Sequence, residues 1–170
     1  MLSKKMVEKL NYQINIELFS AYLYLSMASY ADAEGLAGFS NWFKIQAKEE
    51  EFHAEKLDNY VNQQGERVVL EAIEKPETDF TSMLDLFEKT FKHEKVVTSL
   101  INELVKLARE ENDYATESFL QWYVIEQVEE EANPAEIIQK LNFIGKDGRG
   151  LLMLNQELAT RVFTPPSTEE

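Results

Sequence analysis

The chain of 170 residues contains no cysteine, which excludes disulfides, zinc ribbons, iron–sulfur clusters and thiol nucleophiles. With 44% hydrophobic residues and only six glycines and four prolines, it is expected to form one globular, helix-rich domain over residues 1–170. Its 17 basic and 31 acidic residues give a formal net charge of −14, which favours cations and argues against nucleic acid or an anionic membrane as partners, although solubility alone also explains such a charge.

The N-terminus is basic, but no apolar signal segment follows it, and no apolar run is long enough to cross a bilayer. We therefore expect a cytoplasmic protein, since the lack of cysteine also suits a reducing compartment.

Four long segments have the spacing of apolar residues that predicts amphipathic helices, and a shorter apolar segment follows them. Ser3 is expected to cap the first helix and Gly35 to end it, while Ser82 and Asp85 resemble a capping box at the start of the third. The predicted helices span residues 4–33, 36–64, 82–109, 113–144 and 148–161, and a flexible tail is expected over 164–170.

The lengths of the connections predict how the helices are arranged. Short turns join the first helix to the second and the third to the fourth, so each pair is expected to be antiparallel. Residues 66–81 are long enough to span about 50 Å when extended, so helices two and three can run parallel. The predicted fold is an all-α four-helix bundle with a long crossover between helices two and three and a short fifth C-terminal helix. A closed bundle leaves no groove for that fifth helix, which we expect to pack partly against neighbouring subunits.

Steps of three and four residues trace a core-facing stripe along each long helix. Close to the middle of every helix this stripe carries an ionisable or amide side chain where an apolar one is expected. We call these six the midpoint residues: Glu17, Glu50, His53, Glu94, Gln127 and Glu130. Whichever way the helices run, side chains at the midpoints meet at one level of the core.

Four clustered glutamates in a core need a counter-charge, because an isolated buried carboxylate costs several kcal/mol. No lysine or arginine lies on the stripes, so without a cation the glutamates would protonate or open the core. Two divalent metal ions balance four carboxylates and one neutral imidazole. Oxygen ligands with one nitrogen and no thiolate favour Fe(II), Mn(II) or Zn(II), and Glu50 and His53, at i and i+3, can serve the same ion. A surface pair is the ordinary explanation of Glu-x-x-His, but it does not explain the other three helices.

With these residues the chain resembles a non-haem ferritin of the prokaryotic type. The resemblance covers essentially the whole chain and rests on the midpoint residues together with the stretches 11–17, 46–50, 119–123 and 126–131. It implies a ferroxidase centre for two irons per subunit, with the first iron held by Glu17, Glu50 and His53. Glu50 then bridges to a second iron held by the glutamates of helices three and four, with Gln127 nearby.

The resemblance assigns roles to four further residues. Tyr24, one heptad beyond Glu17, matches the tyrosine beside the centre, and a core tyrosine is its compatible alternative. Glu49, Glu126 and Glu129 resemble the ligands of a third, weaker iron site. Solvated glutamates are the alternative explanation for these three.

The implied activity is oxidation of Fe(II) by dioxygen or hydrogen peroxide, followed by storage of Fe(III) as a mineral inside a hollow homo-oligomeric shell of about 24 subunits. The fifth helix matches the one that lines pores in such shells. Stable di-iron cofactors commonly carry two Glu-x-x-His motifs, whereas the second motif here is Gln127-x-x-Glu130. This difference favours iron as a transient substrate.

Several related classes are less compatible with the chain. A bacterioferritin is expected to offer a methionine beside its first Glu-x-x-His, and residues 50–53 contain none, so we expect no haem. A rubrerythrin-like peroxidase needs a cysteine-rich module, and the miniature DNA-protecting cages place their ligands between subunits. A non-catalytic helical scaffold would leave six aligned polar core residues unexplained. Two smaller predictions remain. Pro134 is expected to kink the fourth helix, which either tunes Glu130 or is a tolerated bend, and His93 is expected at the surface or an interface.

Overall fold

The computed structural model describes residues 1–165, so the last part of the predicted flexible tail, 166–170, lies outside the described residues. Over 1–165 the chain forms five α-helices and no strand: α1 Lys4–Ala33, α2 Ala37–Gln63, α3 Met83–Glu110, α4 Tyr114–Ile144 and α5 Gly148–Leu158. This is the all-α bundle that the sequence predicts. The fifth helix ends at Leu158, whereas the sequence predicted a helix to residue 161.

Local hydrogen bonds and glycines explain where the helices begin and end. The Ser3 hydroxyl accepts a hydrogen bond from the Met6 amide at 3.0 Å, and the Ser82 hydroxyl accepts one from the Asp85 amide at 3.1 Å. Each cap satisfies an amide that has no partner within its own helix. Gly35 follows α1 with φ of +75°, a left-handed conformation that favours glycine.

The crossover between α2 and α3 runs along α1. The Val69 amide donates to the Asn11 side chain at 3.0 Å, and farther along α1 the Ser26 hydroxyl donates to the Glu77 carbonyl oxygen at 2.7 Å. The crossover therefore returns along the bundle before α3 begins, and α2 and α3 run parallel as predicted.

Two apolar clusters fill the bundle, one on each side of the midpoint level. One cluster lies toward the α1 N-terminus, where Leu10 and Ile14 of α1 pack with Leu57 of α2 and side chains of α3 and α4. The other is rich in aromatic rings and lies toward the α1 C-terminus. Apolar packing above and below thus isolates the midpoint level from solvent.

The fifth helix covers one end of the bundle. Leu154 and Leu158 are buried in the aromatic-rich cluster, while Leu152 and Met153 remain 56% and 71% exposed. The predicted contact of α5 with neighbouring subunits stays a prediction. α5 packs across the end of the bundle onto α2 and α4 and keeps only part of its apolar surface for another partner.

Helix α4 continues through the buried Pro134 from Tyr114 to Ile144. Its predicted kink, with an effect on Glu130, stays a prediction. Within residues 1–165 no helix is long and apolar enough to cross a membrane.

Candidate metal centre

The six midpoint residues lie together in the core, as the stripe pattern predicts. Each is buried, with at most 5% of its surface exposed. The helices α1, α2, α3 and α4 contribute Glu17, then Glu50 and His53, then Glu94, and finally Gln127 and Glu130. Burying this many polar side chains at one level is unfavourable unless they share strong interactions or bind cations.

The ligand atoms of the midpoint glutamates, His53 and the neighbouring Glu126 fall into three compact sets, each with members within 4.8 Å of one another. The sets are Glu17, Glu50 and His53; Glu50, Glu94 and Glu130; and His53, Glu126 and Glu130. Because the first two sets share Glu50, its carboxylate can bridge two neighbouring metal ions.

Two glutamines hold the carboxylates in place. Gln13 donates to Glu17 at 2.8 Å, and Gln46 donates to Glu50 at 3.0 Å and to Glu130 at 2.5 Å. In the first two pairs the glutamine precedes its glutamate by one helical turn, which places both side chains on one face. Sequence reasoning gave these glutamines no role, although this spacing was visible in the chain.

Glu94 receives a donor on each of its oxygens. Tyr24, buried as the sequence predicts for a residue beside the centre, donates its hydroxyl to one oxygen. Gln127 donates to the other oxygen at 3.3 Å and also to the Thr98 hydroxyl at 3.2 Å. The amide nitrogen of Gln127 therefore orients Glu94.

His53 is fixed from two sides. Its Nδ1 lies 3.3 Å from a carboxylate oxygen of Glu50, and its carbonyl oxygen accepts the Tyr123 hydroxyl at 2.8 Å. The ring of Trp122 lies edge-on to the imidazole, with the centroids 5.4 Å apart. With its backbone fixed by Tyr123 and its ring against Glu50 and Trp122, His53 is well placed to act as a metal ligand.

Burial controls the protonation of the carboxyl groups. Desolvation raises the pKa of Glu17 to about 8, with the Glu50 charge adding to the effect, and desolvation also raises the pKa of Glu130 to about 8. Desolvation raises the pKa values of Glu50 and Glu94 well above the ordinary range. A cation at the centre would reverse these shifts, because it favours the charged form.

One oxygen of the cluster has an unsatisfied bonding capacity. Glu17 Oε2 is buried and finds no hydrogen-bond partner among residues 1–165. Such an orphaned acceptor is costly in a core, and it lies in the set that also offers Glu50 and His53. A divalent cation fits this donor set, since it needs oxygen and imidazole ligands and supplies the missing positive charge.

The three residues predicted for a third iron site have different environments. Glu126 is half-buried and belongs to the set with His53 and Glu130. Burial raises the pKa of Glu49, and the nearby charge of Glu126 adds to this effect. The Glu49 carboxylate also pairs with Arg161. Glu129 is exposed. Sequence reasoning missed Arg161, which lies far along the chain.

His93, predicted at the surface or an interface, is half-buried between α1 and α3. Its Nε2 lies 2.7 Å from the Ser20 hydroxyl, and its ring packs edge-on to Tyr24 with the centroids 6.1 Å apart. Burial lowers its pKa to about 4. The stripe pattern missed this position because His93 fills the boundary between two helices.

Comparison with known proteins gives a consistent result. Residues 7–144 match the family model described as a ferritin-like domain. The chain is 45% identical over 163 residues to the bacterial non-heme ferritin of Staphylococcus aureus strain MRSA252, covering 96% of this chain and 98% of that protein. It is 44% identical over 158 residues to a probable bacterial non-heme ferritin-like protein of Haemophilus influenzae, covering 93% and 96%.

Solved structures of an archaeal protein are also similar. An open-pore ferritin from the hyperthermophilic archaeon Archaeoglobus fulgidus superposes with a TM-score of 0.94 at 54% identity, over 95% of this chain and 100% of that one. A closed form of the A. fulgidus ferritin, engineered by site-directed mutagenesis, has a TM-score of 0.95 at 54% identity, over 96% and 100%.

Proposed function

Because the chain belongs to the ferritin family, as a non-haem ferritin of the prokaryotic type, we propose that it oxidises Fe(II) at a dinuclear centre and stores the Fe(III) as a mineral inside a shell of identical subunits. The family and fold support iron storage and a homo-oligomer. The oxidation step, the site residues and a shell of about 24 subunits are parts of the proposal.

The observation that carries the proposal is the pair of buried donor sets that share Glu50. In the proposal one Fe(II) binds Glu17, Glu50 and His53, and a second binds Glu50, Glu94 and Glu130. Gln127 orients Glu94, and Tyr24 supports it from the other side. A weaker third site uses Glu126, Glu129 and Glu49.

The chemistry follows from the ligands. Carboxylates stabilise Fe(III) more than Fe(II), which lowers the potential of the bound ion and favours loss of an electron to the oxidant. Two irons side by side supply the electron pair that reduces dioxygen to hydrogen peroxide, or hydrogen peroxide to water. The apolar clusters above and below exclude bulk water from the pair.

Iron is proposed as the substrate of this centre. The cluster offers a single imidazole, from His53, and the position that would give a second Glu-x-x-His pair carries Gln127. With a neutral amide where a second strong ligand would stand, the second iron has one ligand fewer, which makes it easier for the oxidised ion to leave for the mineral.

The test is an anaerobic Fe(II) titration of the purified shell, followed by admission of oxygen with optical monitoring. We expect about two to three irons to bind per subunit and a fast ferric absorbance to follow. Glu50→Gln should abolish the fast phase, because it removes the shared ligand, whereas Glu55→Gln on the exposed face of α2 should not.

Two results would contradict the proposal. Tight retention of two irons without turnover would indicate a resident di-iron cofactor. Failure of the wild-type chain to bind any iron would remove the metal centre altogether.

A further inference from the structure

The segment that follows α5 is bound firmly to α2. The side-chain amide of Asn41 donates to the carbonyl oxygens of Leu158 at 3.2 Å and Arg161 at 3.0 Å. These contacts turn the chain back along α2 after the helix ends. They bring the Arg161 side chain to the edge of the candidate metal centre.

The Arg161 guanidinium contacts an aromatic ring, a carboxylate and two hydrogen-bond acceptors at the same time. It donates to the Trp42 carbonyl oxygen at 3.2 Å and lies 4.5 Å from the centroid of the Trp42 ring. It also donates to Gln46 at 2.9 Å and pairs with the Glu49 carboxylate. The Arg161 and Glu49 side chains are only 20% and 24% exposed, so water screens the pair incompletely.

Through Gln46 the guanidinium reaches the metal ligands. The oxygen of the Gln46 amide accepts from Arg161, and its nitrogen donates to Glu50 at 3.0 Å and to Glu130 at 2.5 Å. Arg161 therefore selects the orientation of this amide, since the reverse orientation would aim its oxygen at two carboxylates.

Arg161 and a third iron would compete for the carboxylate of Glu49. A third iron that uses Glu49 and Glu126 needs the carboxylate that Arg161 already neutralises. The two cations cannot share that carboxylate at close range without repulsion. A residue of the C-terminal segment thus pairs with the carboxylate that a third metal ion would need.

We propose that Arg161 regulates the third iron site, competing with the metal ion for Glu49 and keeping that site weak while the C-terminal segment stays docked on α2. The inference rests on the proposed function, because it assumes that Glu49 is an iron ligand. Arg161 acts here as a positioning residue that sets how many irons the centre holds. Displacement of the segment after α5 frees Glu49 and strengthens the third site.

The experiment is an anaerobic titration with Fe(II) alone, in which the first two binding steps are resolved from the third. In Arg161→Gln the third step should tighten by about three- to tenfold, the range expected for loss of a partly screened ion pair. Arg149→Gln makes the same charge change at an exposed position of α5 and should leave the third step unchanged. Arg161→Lys keeps the charge and should restore most of the wild-type behaviour.

Two further variants separate charge competition from a fastening role for Arg161. Asn41→Ala loosens the docked segment without changing charge, so it should tighten the third step in the same direction. In a Glu49→Gln background, Arg161→Gln should have no effect, because the contested carboxylate is gone.

An unchanged or weaker third step in Arg161→Gln would overturn the inference, as would an equal effect with Glu49 absent. The first two steps report on the proposed function separately. Their absence in the wild-type chain refutes the dinuclear centre, whereas their presence with an unresponsive third step refutes only the role of Arg161.

Discussion

At the scale of single residues, the buried glutamates differ in what holds their two oxygens. Glu94 has Tyr24 on one oxygen and Gln127 on the other. Glu17 has Gln13 on one oxygen, and within the described chain its second oxygen has no donor. Glu17 therefore gains most from a cation, since a metal would satisfy its unpaired oxygen and supply the missing charge.

The raised pKa values predict how stability depends on pH once metal is stripped with a chelator. The folded-state pKa of Glu17 is about 8 against an ordinary 4.5, so between these values the folded chain holds a proton that the unfolded chain has lost. The stability that this bound proton contributes is fully present below the pKa of the unfolded chain, and it is lost as the pH rises toward the pKa of the folded chain. The free energy of unfolding should therefore fall from about pH 5 to about pH 8, with Glu130 acting in the same direction.

Denaturant unfolding of the stripped protein across this pH range measures the effect. Glu17→Gln keeps the shape of the protonated carboxyl, so its stability relative to wild type should increase with pH. Glu55→Gln, at an exposed position of α2, should show no such trend. A Glu17→Gln difference that is constant with pH would show that Glu17 ionises normally in the core.

Residues that act along one helix could be predicted from the sequence. The midpoint residues stood out because polar side chains interrupt an apolar stripe, and a stripe is defined by spacing within one helix. Gln13 and Gln46 could have been found by the same reasoning, since each lies one turn before a glutamate of the cluster.

The positions of the Arg161 and His93 side chains depend on contacts between segments that are far apart in the sequence. Arg161 reaches Glu49 only because Asn41 binds the backbone after α5, and no spacing in the chain indicates that contact. His93 fills the seam between α1 and α3, which a stripe drawn down the centre of a helix does not include. Tertiary packing determines both positions, so the sequence pattern alone could not.

At the scale of elements, the junction between α5 and α2 depends on close backbone contact. The Gly38 amide donates to the Asn155 side chain at 2.8 Å. A Cβ at Gly38 would lie 1.7 Å from the Asn155 carbonyl oxygen, which is backbone and cannot rotate away. Glycine at this position therefore permits α5 to pack on the end of the bundle.

Gly38→Ala should separate α5 from α2 and lower the free energy of unfolding by about 1–3 kcal/mol, the usual cost of overpacking a tight contact. Gly148→Ala is the matched control, because nothing lies within 4 Å of a Cβ built there. It should be neutral or stabilising by about 0.4–1 kcal/mol, since alanine restricts the unfolded chain. Denaturant unfolding compares the two variants, and faster hydrogen exchange across α5 in Gly38→Ala would locate the change. Equal stability of the variants would mean that the helices can separate at no cost.

At the scale of the whole molecule, exposed apolar side chains gather where α1 meets the crossover. Tyr22, Leu25 and Ile73 line one groove and are 51%, 44% and 42% exposed. Exposing such an apolar groove to water is unfavourable, and a contact between two copies of the chain would bury it. We therefore expect this surface to lie between subunits of the homo-oligomer.

Leu25→Glu should divide the shell into smaller species, because it places a charge in the middle of that groove. Val96→Glu is the control. Val96 lies on α3, is 53% exposed and does not line the groove. Native mass spectrometry would measure the masses of both variants. All the proposed iron ligands come from one subunit, so the smaller species should still oxidise Fe(II) at a near wild-type rate. Without an enclosed cavity, however, they should release ferric product that precipitates. Loss of oxidation together with the shell would mean that a second subunit completes the centre.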